Sequence, residues 1–278
     1  MRIYYFIVLI TFASCQSNIK MKKNTPICKK KPELLSIHNQ ERIDDYYWLN
    51  DRENPEVINY LNSENSYTDS QMKNTESFQK TLFNELKSRI KEEDQSVPYL
   101  FNDYYYWSKY EKGFEHPIYL RKKKDSNIDE VILNGQDLSK DYEFFNIGDY
   151  DISDNNQIMA YSYDTLSRRI YQIRIKNLIT GELFPETLEN TTGSIVFAND
   201  NKTLFYGKKD PVTLRSFQIY AHELGTDQSK DVLIFQEDDE TFSCYAYKTK
   251  SNEYVVINSS STLSDEYRLI PASSPHEK

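Results

Sequence analysis

Asp154-Asn155-Asn156-Gln157-Ile158-Met159-Ala160-Tyr161 opens the stretch whose reading decides the fold. Asp164-Thr165-Leu166-Ser167-Arg168-Arg169 and Ile170-Tyr171-Gln172-Ile173-Arg174-Ile175-Lys176 continue it. An Asp-Asn pair tolerates the positive backbone angle of a tight turn, so it can join two antiparallel strands. Tyr171, Ile173 and Ile175 then alternate with Gln172, Arg174 and Lys176, the period of a strand with one buried and one wet face. Thr180-Gly181 closes the next turn, and the full copy runs Phe145–Leu188.

The unit recurs. Asp154-Asn155 returns 46 residues later as Asp200-Asn201 before Leu204-Phe205-Tyr206, and after a further 51 as Ser251-Asn252 before Tyr254-Val255-Val256-Ile257. Gly181 returns 44 residues on as Gly225, following a strand with Phe217, Ile219 and Ala221 inward. A weaker first copy starts at Asn102-Asp103, runs through Tyr104–Trp107, and alternates Ile118 and Leu120 with Tyr119 and Arg121. Several short strands per unit at such a period are the mark of β-propeller blades. Unrelated hairpins with no common architecture are the alternative on periodicity alone. The expected fold is mainly β: a partial β-propeller of three to four blades over 99–278, too few to close a ring, preceded by an N-terminal α-helical segment over 41–98.

Composition agrees. The 278 residues include 23 Tyr and 14 Phe but only 7 Gly, as suits amphipathic strands. A net charge of −9 argues against a nucleic-acid partner, which needs a cationic face.

Met1-Arg2 is followed by an apolar run, Ile3–Phe12, and then Ala13-Ser14-Cys15. The run is too short for a permanent transmembrane helix and has the dimensions of a signal-peptide core. Small residues directly before a Cys resemble a bacterial lipoprotein cleavage site, although Phe12 stands where that pattern usually has Leu. On this reading residues 1–15 form the signal segment, Cys15 is lipidated, and the chain is exported to the cell envelope. Ordinary secretion with cleavage nearby and a short N-terminal anchor are the alternatives. Residues 16–40 read as a polar, lysine-rich tether, a solvated spacer more than a lipid-binding patch. Cys28 and Cys244 read as two unpaired thiols before they read as a disulfide, the alternative in an oxidising compartment.

Asn54 has the chemistry of a helix N-cap, with Pro55 at the first helical position and Glu56 in the first turn. Phe78, Leu82, Leu86 and Ile90, reinforced by Phe83, give a second helical stripe, so helix is expected over roughly Pro55–Lys91. Asp44-Asp45 invites an acid/base reading, but adjacent carboxylates with no partner at a fixed spacing more often cap or form salt bridges. Trp48, with Tyr46 and Tyr47, reads as a packing anchor. Arg168-Arg169 reads as an ion pair between blades or domains before it reads as a carboxylate clamp.

Catalytic motifs are missing. No two of the seven glycines are four residues apart, which excludes a Gly-x-Ser-x-Gly elbow and the glycine-rich phosphate loops. Ser259-Ser260-Ser261 lacks a base and reads as a loop. His38, His116, His222 and His276 share no metal-ligand spacing, and no CxxC is present. No catalytic, cofactor or metal residue is expected.

Arg42-Ile43-Asp44-Asp45-Tyr46-Tyr47-Trp48-Leu49, Pro55-Glu56-Val57-Ile58-Asn59-Tyr60-Leu61 and Glu64-Asn65-Ser66-Tyr67 resemble the opening of the oligopeptidase B (protease II) branch of the prolyl oligopeptidase family of serine peptidases. Leu166-Ser167-Arg168-Arg169-Ile170-Tyr171, Asn177-Leu178, Pro185-Glu186, Phe197-Ala198-Asn199-Asp200, Pro211-Val212-Thr213-Leu214 and Leu224-Gly225-Thr226 are similar to its propeller. The likeness covers about Arg42 to Ile270. It implies a helical segment, a seven-bladed propeller restricting access to short peptides, and a C-terminal α/β-hydrolase domain carrying Ser, Asp and His, with cleavage after Arg or Lys. No triad position falls within these residues. The resemblance implies an access-limiting portion, inactive alone, whose partners are the hydrolase domain and short peptides; the signal-segment reading adds, through Cys15, a membrane. A stand-alone surface lipoprotein binding peptide or protein is the rival.

Overall fold

A computed structural model describes residues 25–276. A boundary at Ile90/Lys91 separates two units.

The first unit contains a hairpin that its polar composition hides. β1 (Glu33–Ile37) pairs antiparallel with β2 (Gln40–Asp44). Between them His38 and Asn39 take φ of 52° and 59°, a two-residue turn whose twist matches that of paired strands. β1 therefore lies within the segment expected as a tether, and the hairpin crosses the expected boundary at 40/41.

Helix α1 (Pro55–Met72) starts where local chemistry dictates. The Asn54 side chain accepts from the Glu56 N–H at 3.0 Å, and Pro55 holds the first position. Asp44 accepts from the Tyr46 N–H at 2.9 Å and Asp45 pairs with Lys30 at 2.8 Å, so this carboxylate pair caps and bridges. Trp48 donates to the Lys29 carbonyl at 3.0 Å, and the Lys31 ammonium lies 4.6 Å from its ring centroid, the anchor role expected of it. In α2 (Glu76–Ser88) the anticipated stripe forms, but Phe78, Leu82, Phe83 and Leu86 are all exposed, as is Ile90 beyond the helix end.

The second unit is four consecutive blades. Blade one comprises β3 (Asp94–Gln95), β4 (Tyr99–Phe101), β5 (Tyr104–Tyr110), β6 (Ile118–Lys123) and β7 (Glu130–Asn134). β3 and β4 pair with opposite ends of β5. A short helix, α3 (Gly135–Ser139), follows. β8 (Asn146–Ile152), β9 (Ile158–Asp164), β10 (Tyr171–Asn177), β11 (Leu183–Phe197), β12 (Thr203–Lys209), β13 (Ser216–Glu223) and β14 (Val232–Gln236) form one continuous antiparallel sheet. β15 (Ser243–Lys248), β16 (Tyr254–Ser260) and β17 (Asp265–Pro271) form the last.

The seven-stranded sheet is two blades sharing β11. Its first half pairs with β10 through Thr187 and Leu188, and its second half pairs with β12 through Ile195, Val196 and Phe197. Between the halves Asn190 and Gly193 take φ of 56° and 92°, bends that let one strand leave one blade as its outer strand and enter the next as its inner strand. A Cβ on Gly193 would meet the Tyr171 ring at 2.8 Å, so the bend is also a close approach.

Hydrophobic cores lie between successive blades. Ile173, Ile175 and Leu188 of the second blade pack with Phe197 and Leu204 of the third, and Val196, Phe205 and Ile219 of the third pack with Cys244, Val255 and Ile257 of the fourth. The alternating inward residues of β10 and β13 are thus placed as the sequence implies. The opposite face of β10 is not wet, because the first blade covers it: Arg174 and Lys176 are partly buried, and the Lys176 ammonium donates to the Ile132 carbonyl at 3.0 Å. Desolvation holds that ammonium below its ordinary pKa.

The repeated turn sits one residue later in the second blade than Asp154-Asn155 implies. The left-handed residues are Asn156, Asn201 and Asn252, each near 60° in φ. The loops close alike, with Ser153 donating to Ile158, Ala198 to Thr203 and Thr249 to Tyr254, each at 2.8–2.9 Å. In the first blade the two-residue turn Asn102-Asp103 (φ 49° and 66°) takes this place. These turns are tied to one another. Asn156 donates to the Asn102 carbonyl at 3.0 Å, the Asn155 N–H to the Asn201 side chain at 2.8 Å, and the Asn199 side chain to the Asn252 carbonyl at 2.7 Å. Arg121, only 2% exposed, adds a bond to the Asn156 carbonyl at 2.6 Å while pairing with Glu130 at 2.7 Å.

Two outcomes follow. Arg121→Ala should lower unfolding free energy by about 2–3 kcal/mol, and Arg121→Lys by less, read from urea midpoints. Asn156→Ala should cost about 2 kcal/mol, while Asn156→Gly should recover the backbone part, roughly half, and leave the lost side-chain bonds. Equal effects of Ala and Gly would show that the left-handed angle contributes nothing.

Candidate functional site

One concavity of the β unit lies where the inner strands of the first two blades meet. Gly148 and Asp149 together oppose Ser162, because the β8–β9 register shifts between Ile147 and Tyr150. Ser162 explains the bulge: its hydroxyl accepts from the Asp149 N–H at 2.9 Å and donates to the Gly193 carbonyl at 2.8 Å. A Cβ on Gly148 would meet both Ser162 and the Tyr171 ring at 2.6 Å, so glycine is required there by space. Asp149, the second residue of the bulge, and Asp151 stand two residues apart, which on a strand puts them on one side. Asp151 accepts from the Phe197 N–H at 2.8 Å, and the Ile195 N–H faces Asp149, so both carboxylates turn toward β11.

The opposite face of β8, which carries Tyr150 and Ile152, borders a cleft of about 410 Å³ on the first-blade side whose lining includes Tyr99, Phe101 and Tyr106. Tyr99 and Tyr106 have ring centroids 5.8 Å apart. Desolvation pushes both carboxyls above the usual carboxylate range, and it pushes the Tyr106 phenol up to about 12. Among the described residues neither Asp149 nor Asp151 has an ion-pair partner. The charge of Lys248 is felt at Asp151, but its ammonium donates to the Asn199 side chain at 2.9 Å.

Elsewhere the residues singled out from sequence take structural roles. Ser259 and Ser260 end strand β16 instead of forming a loop, and the Ser259 hydroxyl donates to Glu237. Arg168 and Arg169 form no ion pair among the described residues. Arg169 is left-handed (φ 55°), its N–H reaches Asp164 at 2.6 Å, and its carbonyl accepts from Lys209, so this pair shapes a loop tied to the next blade. Cys28 and Cys244 are free thiols, and burial pushes the latter up to about 11. Cys15 lies outside the described residues.

Two arrangements escaped the sequence reading. His222, fully buried, shares a 2.6 Å contact with Asp231 and lies 3.7 Å from Glu186, joining three segments that no spacing rule connects. The Asp149/Asp151 pair did leave a signal, since two acids at strand period share one side of a strand. Among the described residues, no serine hydroxyl bonds to a histidine and no His/Cys/Asp/Glu group could hold a metal. Only His222 and His276 have side-chain hydrogen-bond partners, and neither partner is a serine.

Comparison with known proteins agrees with this architecture. The chain is 38% identical over 269 residues to dipeptidyl aminopeptidase BI of Pseudoxanthomonas mexicana, covering 90% of this chain and 37% of that protein. It is 31% identical to protease 2 of Moraxella lacunata, with the same coverage of each. The structure of oligopeptidase B from Leishmania major superimposes with a TM-score of 0.83 at 27% identity, covering 90% of this chain and 38% of that one. The chain therefore spans well under half the length of the relatives it matches. The prolyl oligopeptidase N-terminal β-propeller domain matches residues 26–278, and with four blades in place the chain belongs to that family.

Proposed function

We propose that this chain is the access-limiting propeller portion of an oligopeptidase B-like serine peptidase acting on short peptides after basic residues. On this proposal it has no hydrolytic power by itself. The observation that carries the reading is an open arc of four family-type blades, spanning 37% of its relatives and bearing unpaired apolar surface. Tyr245, Tyr247, Tyr267 and Leu269 on the last blade are exposed, as are the apolar residues of α2. Surface of this kind marks an interface. The last blade calls for further blades, and the helical stripe calls for an α/β-hydrolase domain. Such a domain would supply Ser, His and Asp for acyl-enzyme chemistry, with the propeller admitting only chains short enough to reach it.

Export is part of the proposal: the apolar run before Cys15 supports cleavage there and lipid attachment to that thiol. Mass spectrometry of the mature N-terminus should find diacylglyceryl-Cys15 as the first residue. An N-terminus still carrying Met1 would reject it.

The 278-residue chain should show no turnover of an Arg-containing fluorogenic peptide. Joined to an α/β-hydrolase domain of the family, it should show turnover that a serine-directed inhibitor abolishes. Inhibitor-sensitive activity in the chain alone would overturn the assignment. Leu82→Asp should weaken association with that domain by about thirtyfold while leaving helix content unchanged, because Leu82 is exposed in this unit.

A further inference from the structure

The fourth blade has its core on one face. Cys244, Val255 and Ile257 pack on the third blade, and the Arg268 guanidinium lies 4.2 Å from the ring centroid of Phe235 there. Residues directly opposite on paired strands share a face. The register places Asn258 between Tyr245 and Tyr267, and Val256 between Tyr247 and Leu269, so these residues make the other face. The three tyrosines and Leu269 are exposed, whereas Asn258 and Val256 on the middle strand are buried.

The Asn258 amide is oriented by its own blade. Its Nδ2 donates to the Glu266 carbonyl at 3.4 Å, and a carbonyl can only accept, which leaves Oδ1 for another partner. Oδ1 is buried and has no hydrogen-bond partner among the described residues. A buried amide oxygen without a donor is rare and points to one that the blade itself does not supply.

The repeat indicates where that donor comes from. Six residues after its left-handed asparagine the second blade has Ser162, and the fourth has Asn258. Ser162 reaches across its joint, donating to the Gly193 carbonyl, eight residues before the left-handed Asn201 of the third blade. At the next joint the same inner-strand position is Cys244, whose carbonyl accepts from Ser216 of the third blade at 2.6 Å. At both joints a side chain of one blade thus ties down the start of the next inner strand. Asn258 offers an acceptor where Ser162 offers a hydroxyl, so it calls for a backbone N–H of such a strand.

Other occupants answer less of the face. A purely apolar surface covers the tyrosines and leaves Oδ1 unanswered. A second copy of the same face offers mainly rings and an amide turned to its own Glu266. An extended strand brings N–H groups and alternating side chains together.

We infer that the free face of the fourth blade is a socket for the inner strand of a further β-blade, and that Asn258 sets the register of that strand by accepting one of its backbone N–H groups at Oδ1. The socket rests on the reading of this chain as part of a larger propeller, and it adds the residue and the atom that place the next sheet.

The test compares the 278-residue chain with a joined protein in which it continues into the part of dipeptidyl aminopeptidase BI that follows the matched region. Asn258→Leu nearly keeps the side-chain volume and removes the oxygen. In the chain alone the urea midpoint should stay or rise, because no buried oxygen is left without a donor. In the joined protein the same change should lower the midpoint by about 0.5 M, because the incoming N–H loses its acceptor. Tyr267→Ser, on the same face, should lower the midpoint of the joined protein and leave that of the chain alone unchanged, since Tyr267 is exposed there. If Asn258→Leu does not fold, Asn258→Ala is read for the same difference between the two proteins. A midpoint lowered equally in both would make Asn258 a support of its own blade and overturn the socket, as would no change in the joined protein. Sedimentation of the chain alone addresses the rival occupant: a monomer supports the socket, and a dimer that Asn258→Leu dissociates would assign the face to a second copy instead. Turnover of a fluorogenic peptide by the joined protein reports the access-domain reading separately. If turnover persists while Asn258→Leu acts equally in both proteins, the socket fails and that reading stands.

Discussion

The fold depends on a left-handed residue at the tip of each inner hairpin. A tip that places asparagine at positive φ also points an amide side chain sideways, and in this arc sideways means toward the next blade. Asn102, Asn156 and Asn201 use that geometry to bond one tip to its neighbour, and Asn199, beside the third tip, reaches the Asn252 carbonyl. Apolar contacts between blades supply most of the burial energy, but such contacts are non-directional. Hydrogen bonds with fixed donors and acceptors set the angle at which one blade meets the next. The tips are therefore the register of the arc, and the interblade cores fill the space they define.

A second theme is that blade faces are never solvent faces inside the arc. A strand such as β10 that lies between two blades is covered on both sides, so polar residues of its alternating pattern must find partners nearby, whereas the last blade leaves Tyr245, Tyr247, Tyr267 and Leu269 exposed. Lys176 uses a backbone carbonyl of the first blade, Arg121 uses Glu130 and a turn carbonyl, and Asp151 uses an N–H of the third. His222 instead bonds to Asp231 of its own blade at 2.6 Å and approaches Glu186 of the second blade at 3.7 Å. Every such residue trades hydration for a bond that only correct stacking supplies, which favours one arrangement of blades over slipped ones.

How much of this was legible depended on range. The start of α1 could be read because Asn54, Pro55 and Glu56 act within one turn. Strand alternation could be read where Ile173, Ile175 and Ile219 recur, because the core lies against them. The turn was found but misplaced by one residue, since either of two adjacent asparagines, Asn155 or Asn156, suits positive φ and only the closing bond of Ser153 to Ile158 decides. The β1–β2 hairpin stayed hidden because Leu34, Ile37 and Ile43 are exposed, so no buried face imprinted its period. The cleft beside Tyr99 and Tyr150 stayed hidden because it needs β4 and β8 side by side, a fact about blade stacking and not about local sequence.

The shared strand β11 has a mechanical meaning. A chain that passes unbroken from one sheet into the next leaves no seam between the second and third blades, whereas the first and fourth are joined through loops. Thr191 pairs with Tyr171 in one blade and Lys208 in the other, so swinging the two middle blades apart would strain both ladders at that residue. Local opening is thus confined to the flanks, and amide protons in the central pair would exchange with solvent as one block, later than those at either end.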